Sequence, residues 1–275
     1  MPSVKFCPAL AACRMPGDIQ GYGWGYSWNE RTLMPIDVWP VAAAPFIGSF
    51  LGVLVCRLPQ GEPVVLSRSH CEACGTVLTV RDLVPLASFV ALRGRCRYCG
   101  EAITLFHPAI ELAATGVALS ASLAATGLQL WLWCLLGWTL LALAWIDWDW
   151  MVLPDALTLP LLLAGFGAAL LAGPNRLLPS AIGAVAGWVA FTGIAWIYRR
   201  LRNRDGLGGG DAKLLAAAGA WLGPEPLPRV VLLAAVTAAA WTIGMRIWRG
   251  QAVADEPIAF GPWLALSIWL VGLTA

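Results

Sequence analysis

Four cysteines and two aspartates are the residues of this chain whose spacing points to chemistry. Cys71-Glu-Ala-Cys74 and Cys96-Arg-Tyr-Cys99 form two C-x-x-C pairs separated by about twenty residues. Each pair can turn two sulfurs toward one tetrahedral ion, so the spacing points to a Zn2+ site made by four thiolates. A closed four-sulfur shell leaves no position for water or substrate. The metal is therefore expected to be structural, folding a small segment that lacks a core of its own. Gly75 and Gly100 each follow a second cysteine and permit the tight turn of such a knuckle. A redox dithiol pair and two disulfides are the rival readings of the same spacing. Cys56 and Cys134 lie in apolar runs and, like Cys7 and Cys13, lack paired spacing; the two in apolar runs read as small buried hydrophobes. His70 and His107 read as loop or interfacial residues, since four cysteines already complete a zinc shell.

Asp147 lies in the segment Trp145-Ile-Asp147-Trp-Asp149-Trp-Met-Val-Leu-Pro154-Asp155, and Asp211 in Gly206-Leu-Gly208-Gly-Gly210-Asp211-Ala-Lys213. Each stands at the edge of an apolar run, where a charge is costly and needs a partner or a task. Two carboxylates that approach across a helix bundle can share one proton. One then takes a proton from water while the other donates to a peptide carbonyl, which is the chemistry of hydrolysis without a metal or covalent nucleophile. Gly208 and Gly210 can take positive φ and let another backbone come near. A phosphate-binding loop is the rival reading, weakened because no G-K-[ST] follows and no strand precedes. Of the remaining charges, Asp155 reads as a helix N-cap after Pro154, and alternation points Asp149 away from Asp147. Glu111 suits either an ion pair with a loop arginine or a functional role. Lys213 suits either tuning of Asp211 or anchoring at a membrane boundary, although residues two apart on a helix do not face each other.

The elements that position these residues follow from composition. Of 275 residues, 59% are hydrophobic and 12% charged, which excludes an ordinary soluble domain. With 16 Trp and 29 Gly, the balance is that of an all-α polytopic membrane protein. A net charge of +2 gives no footprint for a nucleic-acid partner. Apolar runs near 38–56, 106–126, 128–146, 156–172, 178–198, 212–223, 228–247 and 257–275 predict about eight transmembrane helices. The sixth is the shortest, cut early by Gly219, Gly223 and Pro224. The chain thus divides into an N-terminal extension (1–37), a first helix (38–56), a four-cysteine zinc insert (57–104) and a seven-helix core (105–275). Residues 1–33 lack the continuous apolar run of a signal peptide; a start at Met34 and a short extracytoplasmic tail are both open. If the insert is cytoplasmic, alternation puts Arg199, Arg200, Arg202, Arg204, Arg246 and Arg249 on its side. Arg176 and Arg229 then fall opposite, in agreement with the positive-inside bias. Both aspartates would then lie at the cytoplasmic boundary.

Several ordered segments resemble the bacterial prepilin peptidases, or type IV leader peptidases. Gly48-Ser-Phe-Leu-Gly-Val-Leu-Val-Cys-Arg57-Leu-Pro59 is similar to that family's opening helix, with Cys56 where an aromatic is more usual. Ser69 to Cys74, Arg93-Gly-Arg-Cys96 to Cys99 and Pro108-Ala-Ile-Glu111 are similar to its insert and following helix. Ile146-Asp147 through Pro154-Asp155 and Gly208-Gly-Gly-Asp211-Ala-Lys213-Leu resemble its two aspartate motifs, and Phe260-Gly-Pro262 its closing segment. The resemblance implies that Asp147 and Asp211 are the dyad of an aspartic endopeptidase of the bacterial inner membrane. Its partners would be prepilins or pseudopilins, cleaved after a glycine at the cytoplasmic face. It also implies N-methylation of the new terminus with S-adenosylmethionine, with Gly94 in the insert as a candidate for close cofactor approach. No dinucleotide-type glycine loop shows that second activity independently. The alternatives are a peptidase without methylation, and an assembly factor or transporter whose aspartates bind ions.

Overall fold

Apolar runs without water must satisfy their own backbone groups, and helices do so within one segment. The computed structural model describes residues 38–64, 68–202, 208–249 and 259–274. The expectations for residues 1–37, for Arg204 and for Gly206 lie outside these. Nine α-helices are described: α1 (Trp39–Arg57), α2 (Ala87–Ala91), α3 (Phe106–Ala124), α4 (Gly127–Trp150), α5 (Asp155–Ala172), α6 (Pro174–Arg202), α7 (Gly209–Leu222), α8 (Leu227–Arg249) and α9 (Gly261–Thr274). Apart from the short α2, they are the eight expected helices. Among the described residues there are no strands, only two isolated bridges in the insert. Five helices, α1, α4, α5, α6 and α8, are long and apolar enough to cross a membrane, and the chain is an all-α polytopic membrane protein.

Helix α7, at 1.5 Å per residue, spans only about 21 Å, short of a hydrocarbon core of roughly 30 Å. Its surroundings account for this. Eleven of its 14 residues are buried, because α5, α6 and α9 enclose it. The α6–α7 contact is made backbone to backbone. A Cβ on Gly187 would stand 2.6 Å from the Leu215 carbonyl, and Gly183 and Gly219 meet closer still. The Ser180 hydroxyl donates to the Ala220 carbonyl along the same seam. On the other side of the bundle α1 packs against α3 and α4, with Gly48 lying on the Glu111 backbone. Helix α9 joins the two groups by touching α4, α7 and α8.

The α4–α5 link sets the first aspartate. Met151 takes a left-handed conformation (φ 54°, ψ 34°) and closes α4 by donating its N–H to the Asp147 carbonyl. Pro154 then leads in extended form into α5, which begins at Asp155 itself. The N-cap reading of Asp155 is therefore corrected: Pro154 holds that position with no side-chain cap, and the Asp155 carboxylate accepts from Lys213 Nζ at 2.6 Å. A helix starting one residue earlier than expected turns Asp155 outward, toward the first turn of α7. Lys213 is thus an ion-pair partner of Asp155.

Candidate functional site

The cysteine insert folds as two matching knuckles. Cys71 N–H donates to Thr76 O at 2.9 Å and Gly75 N–H to Cys71 O at 2.8 Å; Cys96 to Glu101 O and Gly100 to Cys96 O repeat the pattern at 2.8 and 3.0 Å. Gly75 (φ 69°) and Gly100 (φ 75°) take the left-handed turn that the sequence led one to expect. The sulfurs of Cys71, Cys74, Cys96 and Cys99 all lie within 4.8 Å of one another, with Cys71 and Cys99 at 3.9 Å. Zn–S bonds of about 2.3 Å in a tetrahedron require sulfurs about 3.8 Å apart, so this donor set fits a metal ion. All four cysteines are free of disulfides. Hydrogen bonding with Thr76, through its side chain first and then its backbone, holds the Cys74 thiol down to about 6. A second network braces the fold: the Asp82 carboxylate accepts from Thr79 Oγ1 at 2.7 Å and Arg97 Nε at 2.7 Å. Thr79 first, then Arg97, keeps its carboxyl below the usual carboxylate range.

Asp147 and Asp211 come together at one end of the bundle. Both are buried, 6% and 7% exposed, and near enough for the charge of one to act on the other. Each also meets a helix N-terminus. Asp147 Oδ2 accepts the Gly261 N–H at 2.9 Å, at the first residue of α9. Asp211 stands in the first turn of α7 and reaches back to the Gly208 N–H, while its own N–H donates to Gly208 O at 3.2 Å. This is the geometry of half a capping box. Exposed N–H groups and the positive helix ends offset part of the cost of two acidic groups in an apolar bundle. The flanks interlock as well: Leu153 packs on Gly210, where a Cβ would stand 2.8 Å from it. Asp149 is exposed, on the last turn of α4, where the alternation of a short turn does not apply.

Beside this pair, Trp148, Trp241 and Trp263 form an indole cluster with centroids 5.6 to 6.3 Å apart. Trp148 is about half exposed, so the cluster presents an apolar surface next to Asp147 in sequence. Neither this cluster nor Gly261 was singled out by chemistry in the sequence. The adjacency of Trp148 to Asp147 is the local signal for the first; Gly261 stands in the Phe260-Gly-Pro262 segment that carries the resemblance, but nothing there ties it to Asp147, 114 residues away.

The remaining candidates separate from the dyad. Gly94 has the positive φ of a tight turn (70°), and the Phe89 ring lies 3.1 Å from where its Cβ would stand. Glu111 is 7% exposed and takes the Leu86 N–H at 2.8 Å, with the Ser49 hydroxyl as a further donor. Among the described residues it forms no ion pair with a loop arginine. His70 is exposed in the insert, His107 stacks edge-on against Phe106, and Cys134 is buried. Cys56 is only partly buried.

A sequence model described as the bacterial peptidase A24 N-terminal domain matches residues 43–125, and one described as the type IV leader peptidase family matches residues 134–243. The prepilin leader peptidase/N-methyltransferase of Burkholderia pseudomallei (strain 1026b) is 41% identical, over 80% of this chain and 79% of its own. The chain belongs to the type IV leader peptidase family. The relative of the same name from Aeromonas hydrophila is 40% identical over 82% of this chain and 86% of its own. That from Klebsiella pneumoniae is 40% identical over 70% and 87%. No solved structure matches. The first family match takes in most of α1, the insert and α3 together; the second runs from α4 into α8 and contains both aspartates.

Proposed function

We propose that this chain cleaves the leader peptides of prepilins or pseudopilins at the cytoplasmic face of the bacterial inner membrane, with Asp147 and Asp211 as its catalytic dyad. The observation that carries this reading is the meeting of two buried carboxylates from separate helices at one end of an apolar bundle. Close acidic groups hold one proton between them. The ionised member takes a proton from water, whose oxygen bonds to the scissile carbonyl carbon, and the protonated member gives its proton to the carbonyl oxygen. Collapse of the tetrahedral species breaks the C–N bond, and a proton passes to the departing amine. The indole cluster supports a substrate whose own hydrophobic helix begins just after the cut glycine. In this reading the division into extension (1–37), first helix (38–56), insert (57–104) and core (105–275) is one of scaffold and chemistry.

The relatives' name supports a second step, N-methylation of the new terminus, for which S-adenosylmethionine is the methyl donor. The four cysteines hold a structural Zn2+, their closed shell leaving no open position. Asp147→Asn and Asp211→Asn are each expected to lower prepilin cleavage by a factor on the order of 10^3 or more, with membrane insertion unchanged. Full cleavage by either variant sinks the dyad. Labelled methyl incorporation into the cleaved product tests the second step, and product without label removes it.

A further inference from the structure

A cavity of about 540 Å3 lies between the insert and the ends of α1 and α3 that face it. Its size suits a small-molecule ligand, and leader cleavage leaves it without a role. Glu111 lies at its helix end, a buried carboxylate that accepts the Leu86 N–H, with His107 one helical turn before it on the same wall. Gly52 opens the α1 wall, where a Cβ would find nothing nearer than 3.5 Å. The insert supplies Leu86, Phe89 and Leu92 opposite. Leu86 is held in a tight turn with φ 57° and ψ −46°, closed by Ala87 N–H to Pro85 O at 2.5 Å. A leucine at positive φ is strained, and such strain gathers at ligand clamps. Here it aims the Leu86 N–H at Glu111. Gly94 acts at one remove: it leaves room for the Phe89 ring, and that ring forms part of the wall.

The geometry points to this cavity as the binding site for S-adenosylmethionine, with Glu111 as counter-charge to its sulfonium. The inference rests on the methylation reading above. Apolar and aromatic groups on the insert wall suit the adenine, and a buried carboxylate suits a cation whose charge is lost in the reaction. The donor's methyl carbon bonds to the amine nitrogen, the C–S pair stays on sulfur as a neutral thioether, and the amine releases a proton to solvent. Position fits the sequence of events. Phe106, beside Gly52 on the cavity wall, packs on Trp145 at 5.2 Å. The cavity therefore borders the end of α4 that carries Asp147.

The test uses the full-length protein in detergent. Radiolabelled S-adenosylmethionine is cross-linked to it by ultraviolet light, and the labelled peptides are expected to fall in 49–62, 69–92 or 96–111; label confined to other segments overturns the site. Equilibrium binding to Glu111→Gln, with folding checked by zinc content and thermal unfolding, is expected to weaken about tenfold or more for S-adenosylmethionine. For S-adenosylhomocysteine, which lacks the sulfonium charge, the change stays within about twofold. Equal weakening of both ligands, or of neither, overturns the role of Glu111. Methyl transfer by the unaltered enzyme separates the two levels. Its absence removes the methylation reading, whereas transfer with label outside the cavity leaves that reading intact and removes this inference alone.

Discussion

At the scale of single residues, the site depends on where two glycines stand relative to two carboxylates. A Cβ on Gly261 would lie 2.6 Å from Asp147 Oδ2, so Gly261→Ala forces the carboxylate to move. Misplacement of a reacting group by about 1 Å costs on the order of 100-fold. The expected result is a fall of that size in kcat for leader cleavage with KM nearly unchanged. Gly208 gives the contrast, since its Cβ would stand at 3.4 Å from Asp211 Oδ2, an ordinary contact. Gly208→Ala is expected to keep cleavage within a few-fold of the parent, and steady-state kinetics on both variants check the pair. The two positions also show how far the site was legible. Asp147 and Asp211 could be read because a charge beside an apolar run is conspicuous. The Gly261 N–H could not, because the contact spans 114 residues and involves only backbone on one side. Asp155 misled for a related reason: Pro-Asp before an apolar run fits a cap, and only the arrival of Lys213 from another helix decides otherwise.

Among elements, the number of helices was legible from the lengths of apolar runs, whereas their neighbours were not. The small-residue spacing Gly183-Ala-Val-Ala-Gly187 in α6 is the signal that could have found α7's partner, since it lets helix backbones touch. Gly219→Leu drives a side chain into the Gly183 carbonyl and is expected to destabilise the fold by about 1–3 kcal/mol or more. Gly193→Ala, on α6 with open space around it, is the neutral control. Thermal unfolding in detergent distinguishes them. The Lys213–Asp155 pair is about half exposed on both sides and contributes less, within about 1 kcal/mol. The insert answers to metal instead. Cys71→Ser is expected to lose bound zinc, measured by elemental analysis, and to lower the unfolding temperature of the insert. Acid should release the ion from the parent protein, because the sulfurs that hold it must be thiolates.

Orientation belongs to the whole molecule, because no single helix carries it. Asp147 at the end of α4 bonds to the start of α9 and acts on Asp211 at the start of α7, so three helices present opposite chain directions at one face. Helix α1 packs on α4, and Phe106 at the start of α3 meets Trp145 at 5.2 Å, which brings the insert to that same face. Arg57, Arg93, Arg95, Arg97, Arg199, Arg200 and Arg246 accompany these ends, while Arg176 and Arg229 belong to the opposite one. Such an excess fixes orientation when it falls within short loops near helix ends. The arginine-rich face, with the dyad and the insert, is therefore expected in the cytoplasm. Alkaline phosphatase folds only outside the inner membrane, so fusions after Gly173 or Gly223 should be active and fusions after Gln60 or Arg249 silent. The reverse pattern would put the dyad on the side from which a basic leader is absent, and leader cleavage at that dyad would then have no substrate. An even number of crossings with both ends outside is the further consequence. It requires short α7 to cross within the sheath of α5, α6 and α9, where its eleven buried residues meet protein instead of lipid.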